Sequence, residues 1–331
     1  MSDRPNLFAF ATSELSQDAV LCWLAAWSTP GAEAHDPELA ALGRAFLSKM
    51  LDRAGRTLPE DVTNVRVRRQ YLNIDVLIEI EAASLSSPLV ICLEDKTGTV
   101  EHSEQLARYR ERLLEVGRRD VIGIYVQTGD QSSYDAVRAA GYFPLGRAEL
   151  IQVLEGCAHP IVTDFREYLQ AIEDDFCSFR TSSPDRWSGR AWEGFFSVVQ
   201  NELGGGDWRN VPNPSGGFHA FYWGGTKIEG GDLYLQLSEG RLALRITVLD
   251  ADRRRELRDF WMHRAIAAAE GFGLVVQRPK RRGSGRTMAL AELCADYRVT
   301  ESGETVDIEA TIARLRRAEK WLMETVSAHV R

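Results

Sequence analysis

Between Gly55 and Val65 the hydrophobic period of this chain drops from about 3.6 residues to about 2, and the chain then enters an unbroken apolar run that halts on three charged residues. Few architectures accommodate that succession. On its N-terminal side, Leu15, Ala19, Cys22, Trp23 and Ala26 recur at helical spacing, with Ser13 as N-cap and Glu14 in the first turn. A second amphipathic helix runs from Asp36 to Ala54, with Leu39, Leu42, Phe46, Leu47 and Met50 on one face and Gly55 as its stop. Val65 and Val67 then alternate with Arg66 and Arg68, and Ile74, Val76, Ile78 and Ile80 alternate with Asp75, Leu77 and Glu79. These runs predict two adjacent strands joined by a tight turn. Pro88 opens Leu89-Val90-Ile91-Cys92-Leu93, the pattern of a strand covered on both faces, and it ends in Glu94-Asp95-Lys96. A helix over 101–117, a buried strand over 121–127, a short helix near 132–140, a strand at 142–144 and helices over 146–156 and 160–180 follow. The order predicts a mixed sheet with helices on its faces, an α/β domain.

The polar break at 181–189 is the expected boundary, separating a domain over 1–180 from a smaller α+β domain over 190–331; the length of 331 residues fits two domains of ~100–200 each. In the second domain a helix at 190–203 leads into a turn-rich loop at 204–217. Strands are predicted at 218–223, 232–237 and 241–249, a helix at 250–270, a hairpin over 273–293 and a helix at 307–330. Five scattered cysteines without a CxxC pair exclude a disulfide framework or zinc ribbon, and six histidines never fall at HxH or HExxH spacing. Neither GxxxxGK[ST] nor GxSxG occurs, which excludes a P-loop motor and argues against a serine esterase. A net charge of -8 excludes a charge-only DNA binder while leaving room for a local basic groove. The first residues lack a basic start and a long apolar core, so a cytoplasmic protein without a membrane segment is expected.

Chemistry concentrates where the buried run stops. Glu94 and Lys96, two apart on a strand, project together while Asp95 points the other way. If the strand carrying Asp75 is its neighbour, Asp75 and Glu94 converge on one cation with Lys96 beside them. Carboxylate oxygens suit Mg²⁺ (or Mn²⁺), which completes its shell with water and substrate phosphate oxygens. Lys96 could position or deprotonate water, or stabilise charge developing on a phosphodiester. A surface ion pair between Glu94 and Lys96, worth ~0–1 kcal/mol, accounts for two charges but not for polar residues ending a buried strand at one point.

These residues resemble the PD-(D/E)XK nuclease superfamily. The match is Asp75, then Glu94-Asp95-Lys96 as the ExK element, on a helix–strand–strand–strand–helix–strand order. The chain is most similar to a bacterial branch that begins with a segment like Asn6–Ala19 and continues past ExK with one like His102–Tyr109. The resemblance implies a restriction-endonuclease-like core. It makes Glu14 the acidic residue of the first core helix, which helps hold metal, and Gln105 the glutamine that approaches the active centre. Tyr109 lies one turn further along the same face. Ile74 stands where the superfamily usually has proline. The resemblance covers residues 6–130, and residues 190–331 look similar to the tail such proteins carry.

Basic residues are the candidate substrate contacts. Arg66 and Arg68 alternate out of an apolar strand and could hold phosphates, a solvated strand face being the equal alternative. Arg278, Lys280, Arg281, Arg282 and Arg286 surround Gly283-Ser284-Gly285; they read as a basic hairpin tip on nucleic acid or as a solvated loop. The expectation is a Mg²⁺-dependent nuclease, DNA favoured as substrate, with a role in bacterial phage defence. A homodimer or a defence-system partner protein fits it. The alternative is a silent or partner-gated scaffold that binds nucleic acid or protein without cutting.

Overall fold

Ser13 accepts a hydrogen bond from Ser16 N–H and starts helix α1 (Glu14–Ala26); Asp36 accepts from Leu39 N–H and, with Pro37 in the first turn, starts α2 (Pro37–Arg53). The computed structural model describes residues 4–98, 105–214, 216–280, 283–301 and 305–327 of the chain. It divides into two compact units, Met1–Asp174 and Asp175–Arg331.

In the first unit, α1 and α2 precede β1 (Val62–Tyr71), β2 (Ile74–Ala82), β3 (Leu89–Lys96), α3 (Gln105–Glu115), β4 (Asp120–Gln127), α4 (Asp135–Ala139), β5 (Tyr142–Gly146), α5 (Arg147–Leu154) and α6 (Pro160–Cys177), which crosses the division. The five-stranded sheet has the order β1-β2-β3-β4-β5. Its first three strands are antiparallel, and β3, β4 and β5 are parallel. The mixed sheet is as expected, and all eight residues of β3 are buried. Strand alternation splits the core in two. Val76, Ile78, Ile80, Ile91 and Leu93 pack with α1, α2, α5 and α6. Leu77, Val90, Cys92 and Tyr125 pack on the opposite face with Leu106, Tyr109 and Leu113 of α3. A sheet sandwiched this way has only its strand ends to offer solvent.

The structure corrects the expected face of α1. Leu15 is 54% exposed, whereas Val20, Leu21, Leu24 and Ala25 are buried together with Gln17 and Asp18. The run from Val20 to Ala26 is apolar all round, so spacing alone selects no face. The β1–β2 turn is tight, with Leu72 and Asn73 both at positive φ (56° and 64°), as a two-residue hairpin turn requires.

In the second unit, α7 (Gly189–Leu203) leads into β6 (Asp207–Val211), β7 (Phe218–Ile228), β8 (Gly231–Ser238), β9 (Arg241–Thr247), α8 (Arg254–Ala269), β10 (Val276–Gln277), β11 (Thr287–Leu293), a β12–β13 hairpin (Val299–Glu301 and Thr305–Asp307) and α9 (Ile308–Ser327). Its main sheet has the order β10-β11-β9-β8-β7-β6. Phe221, Trp223, Leu233, Leu235, Leu237, Leu244 and Ile246 form one core with residues of α7, α8 and α9. Two expectations change here. β6 lies within the segment expected as loop, because Gly204–Gly206 and Pro212–Gly217 conceal a five-residue strand paired with Phe218–Tyr222. Residues 181–189 are part of this unit rather than a linker, since Trp187 packs edge-on against Trp192, 4.6 Å between ring centroids. Among the described residues no helix is long and apolar enough to cross a membrane.

Candidate active site

The C-terminal end of β3 gathers the residues that the sequence singles out. Val76 pairs with Leu93 across the antiparallel β2–β3 ladder, and that register, extended by one residue, sets Asp75 opposite Glu94. Asp75 Oδ2 accepts the Asp95 backbone N–H at 3.0 Å, and its Oδ1 accepts the Gln70 amide at 3.1 Å. Lys96 Nζ forms a hydrogen-bonded ion pair with Glu94 Oε1. The first residue of α3, Gln105, donates to the same oxygen at 3.0 Å and to the Tyr109 hydroxyl one turn on. Glu14, at the start of α1, accepts the backbone N–H of Thr97 at 3.4 Å. Gly129 allows this close packing, because a Cβ there would sit 2.1 Å from Thr97 O.

Electrostatics follow from burial. Glu94 is fully buried, and desolvation followed by the Asp75 charge pushes its pKa up to about 8, with Lys96 opposing the shift. Glu94 Oε2 is buried with no hydrogen-bond donor among the described residues. Asp75 lies close enough to act on Glu94 through both its charge and a side-chain hydrogen bond. Burial pulls Lys96 down, but the hydrogen bond and charge of Glu94 and the charges of Asp75 and Glu14 outweigh it, so Lys96 is held as an ammonium.

Asp95 points away from Glu94, as alternation demands, into a polar network the sequence did not announce. Gln17 of α1 donates to Asp95 Oδ1 at 2.5 Å and accepts from Thr128 Oγ at 2.9 Å. The Thr128 carbonyl accepts from the buried Arg147 at 2.7 Å, and Arg147 pairs with Asp130 and Glu173. Asp18 lies beside this network and accepts from Gln70 at 3.3 Å; burial, then the charge of Asp75, raises its pKa to about 6. Asp95 rises well above the carboxylate range, chiefly through burial. Gln70 holds a positive φ of 53° while bridging Asp18 and Asp75, local strain maintained by two side-chain bonds. Gln127, paired with Lys96 across β3–β4, is buried with neither amide atom hydrogen-bonded among the described residues. In the sequence Gln17 and Asp18 are not set apart from Glu14 and Ser16, the other polar residues that open α1.

Of the expected contacts in the first unit, two do not join this cluster. Arg66 and Arg68 face the buried Glu79 at 3.9 and 3.5 Å, and Arg118 completes that ion-pair group. Lys280 and Arg286 are exposed residues of the second unit, while Arg281, Arg282 and His102 lie outside the described residues.

Two carboxylates at one point suit a hard divalent cation, which is commonly held by one or two carboxylates plus substrate oxygens. The unpartnered Glu94 Oε2 beside Asp75 meets that requirement. Among the described residues no three acidic, histidine or cysteine side chains form a ready-made ligand group, so Glu14 does not make a triad with Asp75 and Glu94. Comparison with protein-family models, with curated proteins and with solved structures gives no match for this chain.

Proposed function

We propose that this chain is a metal-dependent nuclease with a restriction-endonuclease-like core, hydrolysing phosphodiester bonds of nucleic acid, with DNA the favoured substrate. One observation carries the reading: Asp75 and Glu94 meet at the end of a buried strand, Glu94 Oε2 lacks a donor, and the Lys96 ammonium stands beside them. Asp75 and Glu94 would hold Mg²⁺ or Mn²⁺, and Glu14, the further acid that the resemblance supplies, accepts the Thr97 backbone N–H just past the same strand end. Bound there, the metal supplies Lewis acidity toward a phosphoryl oxygen and lowers the pKa of water. Lys96 neutralises negative charge developing on the phosphodiester, in a setting where burial strengthens the interaction. Gln105 fixes the Glu94 carboxylate through its amide, and Gln17 with Thr128 holds Asp95 so that the strand end keeps its shape. A defence role against phage extends this proposal, and a plaque assay on a deletion strain tests it.

The lack of a three-ligand group among the described residues favours a second reading, a silent or partner-gated scaffold. Cleavage of supercoiled plasmid, linear duplex, single-stranded DNA and RNA with Mg²⁺, Mn²⁺ or EDTA decides between them, run beside Asp75→Ala and Lys96→Ala. The nuclease reading expects metal-dependent cutting, lost in both variants. Wild-type protein that neither cuts nor binds metal leaves the scaffold.

A further inference from the structure

One face of the main sheet of the second unit packs on the helical core, and the other carries half-buried side chains around the buried Gln236. Phe221, Trp223, Leu235 and Leu244 point into the helical core, so the intervening residues Tyr222, Tyr234, Gln236 and Arg245 point away from it. Cross-strand register sets Tyr222 beside Gln236 and Tyr234 beside Arg245. The two tyrosine rings lie 6.1 Å apart, and the guanidinium of Arg209 on β6 sits over the Tyr222 ring at 5.2 Å. The Arg245 Nε is buried with no hydrogen-bond partner among the described residues. Together these side chains line an open trough of about 700 Å³. Its floor is widened where the β7–β8 register slips between Trp223 and Thr226; Gly225 there has nothing within 4 Å of a would-be Cβ.

Three properties select an occupant. Flat aromatic rings on neighbouring strands offer stacking surfaces to bases whose faces are free, which a duplex does not present. Guanidiniums on both sides of the rings offer charge to phosphates. No described residue lining the trough is acidic, in a chain of net charge -8; Asp207, 2.8 Å from Arg209, stands outside that lining. Four strands at ~4.8 Å spacing make a track ~14 Å across, an open run for a polymer rather than an enclosing pocket for one nucleotide. We propose that this sheet face binds single-stranded nucleic acid, with Tyr222 and Tyr234 stacking bases and Arg209 and Arg245 holding phosphates. It adds a grip to the nuclease reading and does not depend on cleavage.

The test is fluorescence anisotropy of the full chain with labelled oligothymidylate and oligouridylate of about 20 nucleotides in EDTA, at two salt concentrations. Tyr222→Leu and Tyr234→Leu are expected to weaken binding about tenfold each, while Tyr222→Phe and Tyr234→Phe stay within about twofold of wild type. Arg245→Gln should weaken binding and flatten the salt slope by about one. Leu15→Ala, at an exposed position of the first unit, should bind as wild type does. The proposal is overturned if wild type does not bind, if the double leucine variant binds as wild type does, or if an abasic oligomer matches oligothymidylate. It is equally overturned if free thymidine monophosphate matches the oligomer, or if the trough proves to be a dimer contact that Tyr234→Leu dissociates. Wild-type protein that binds but never cuts supports this proposal and removes the catalytic one.

Discussion

The two sheets of this protein solve the same burial problem differently, and their chemistry follows from the difference. In the first unit both faces of the sheet are covered, so β3 is buried along its whole length and polar side chains gather at its end. In the second unit the helical core takes alternate strand residues, and the open face spreads rings and guanidiniums over four strands. A covered sheet makes a point; an open one makes a track. The point depends on every member, whereas a track tolerates the loss of one contact.

That contrast sets the largest expected effect. Glu94→Gln keeps the shape of a buried carboxyl but removes the oxygen pair that hydrogen-bonds Lys96 and, in the proposed reading, ionises to hold metal beside Asp75. Cleavage is expected to fall roughly a thousandfold or more, with the fold intact by circular dichroism. A single leucine substitution on the open face is expected to cost only about tenfold in binding. If the proposed nuclease activity is found, a Glu94→Gln variant within about tenfold of wild type would break the comparison.

The point was legible in the sequence because charge interrupting an apolar strand is conspicuous: Asp75, Glu94 and Lys96 were placed by alternation, and Gln105 and Glu14 by resemblance. The track was not, because Tyr222, Tyr234 and Arg245 alternate with core residues as any half-exposed strand does. Nor could spacing foresee the buried amides and acids of α1. Gln17 and Asp18 are buried through partners 52 to 111 residues away in sequence, which no local period encodes. The strand β6 was hidden for another reason, since its five residues are too few to outweigh the glycines and prolines around them.

Asp18 tests whether the point extends into that helix. Its pKa is raised by burial, then by Asp75, from 3.8 to about 6, so the native state binds its proton more tightly than the unfolded chain. The resulting stability is whole below pH 3.8 and is lost as pH rises through about 6. Asp18→Asn fixes the neutral form. It should therefore match wild type in urea unfolding at acid pH and exceed it by about 2–3 kcal/mol at pH near 8. Equal stabilities at both pH values would show that Asp18 is not penalised for its charge.

The smallest effect concerns the exposed start of the same helix. Leu15 carried the expected apolar face, yet it is 54% exposed, while Leu21 is fully buried among core residues. Leu21→Ala should cost ~2–5 kcal/mol through lost contacts and a residual cavity. Leu15→Ala removes a side chain that water already surrounds, and alanine is the better helix former, so the change should stay within ~0.5 kcal/mol. A larger loss at Leu15 would mean that this face of α1 is covered in solution, and the first unit would then have a buried surface beyond its two cores.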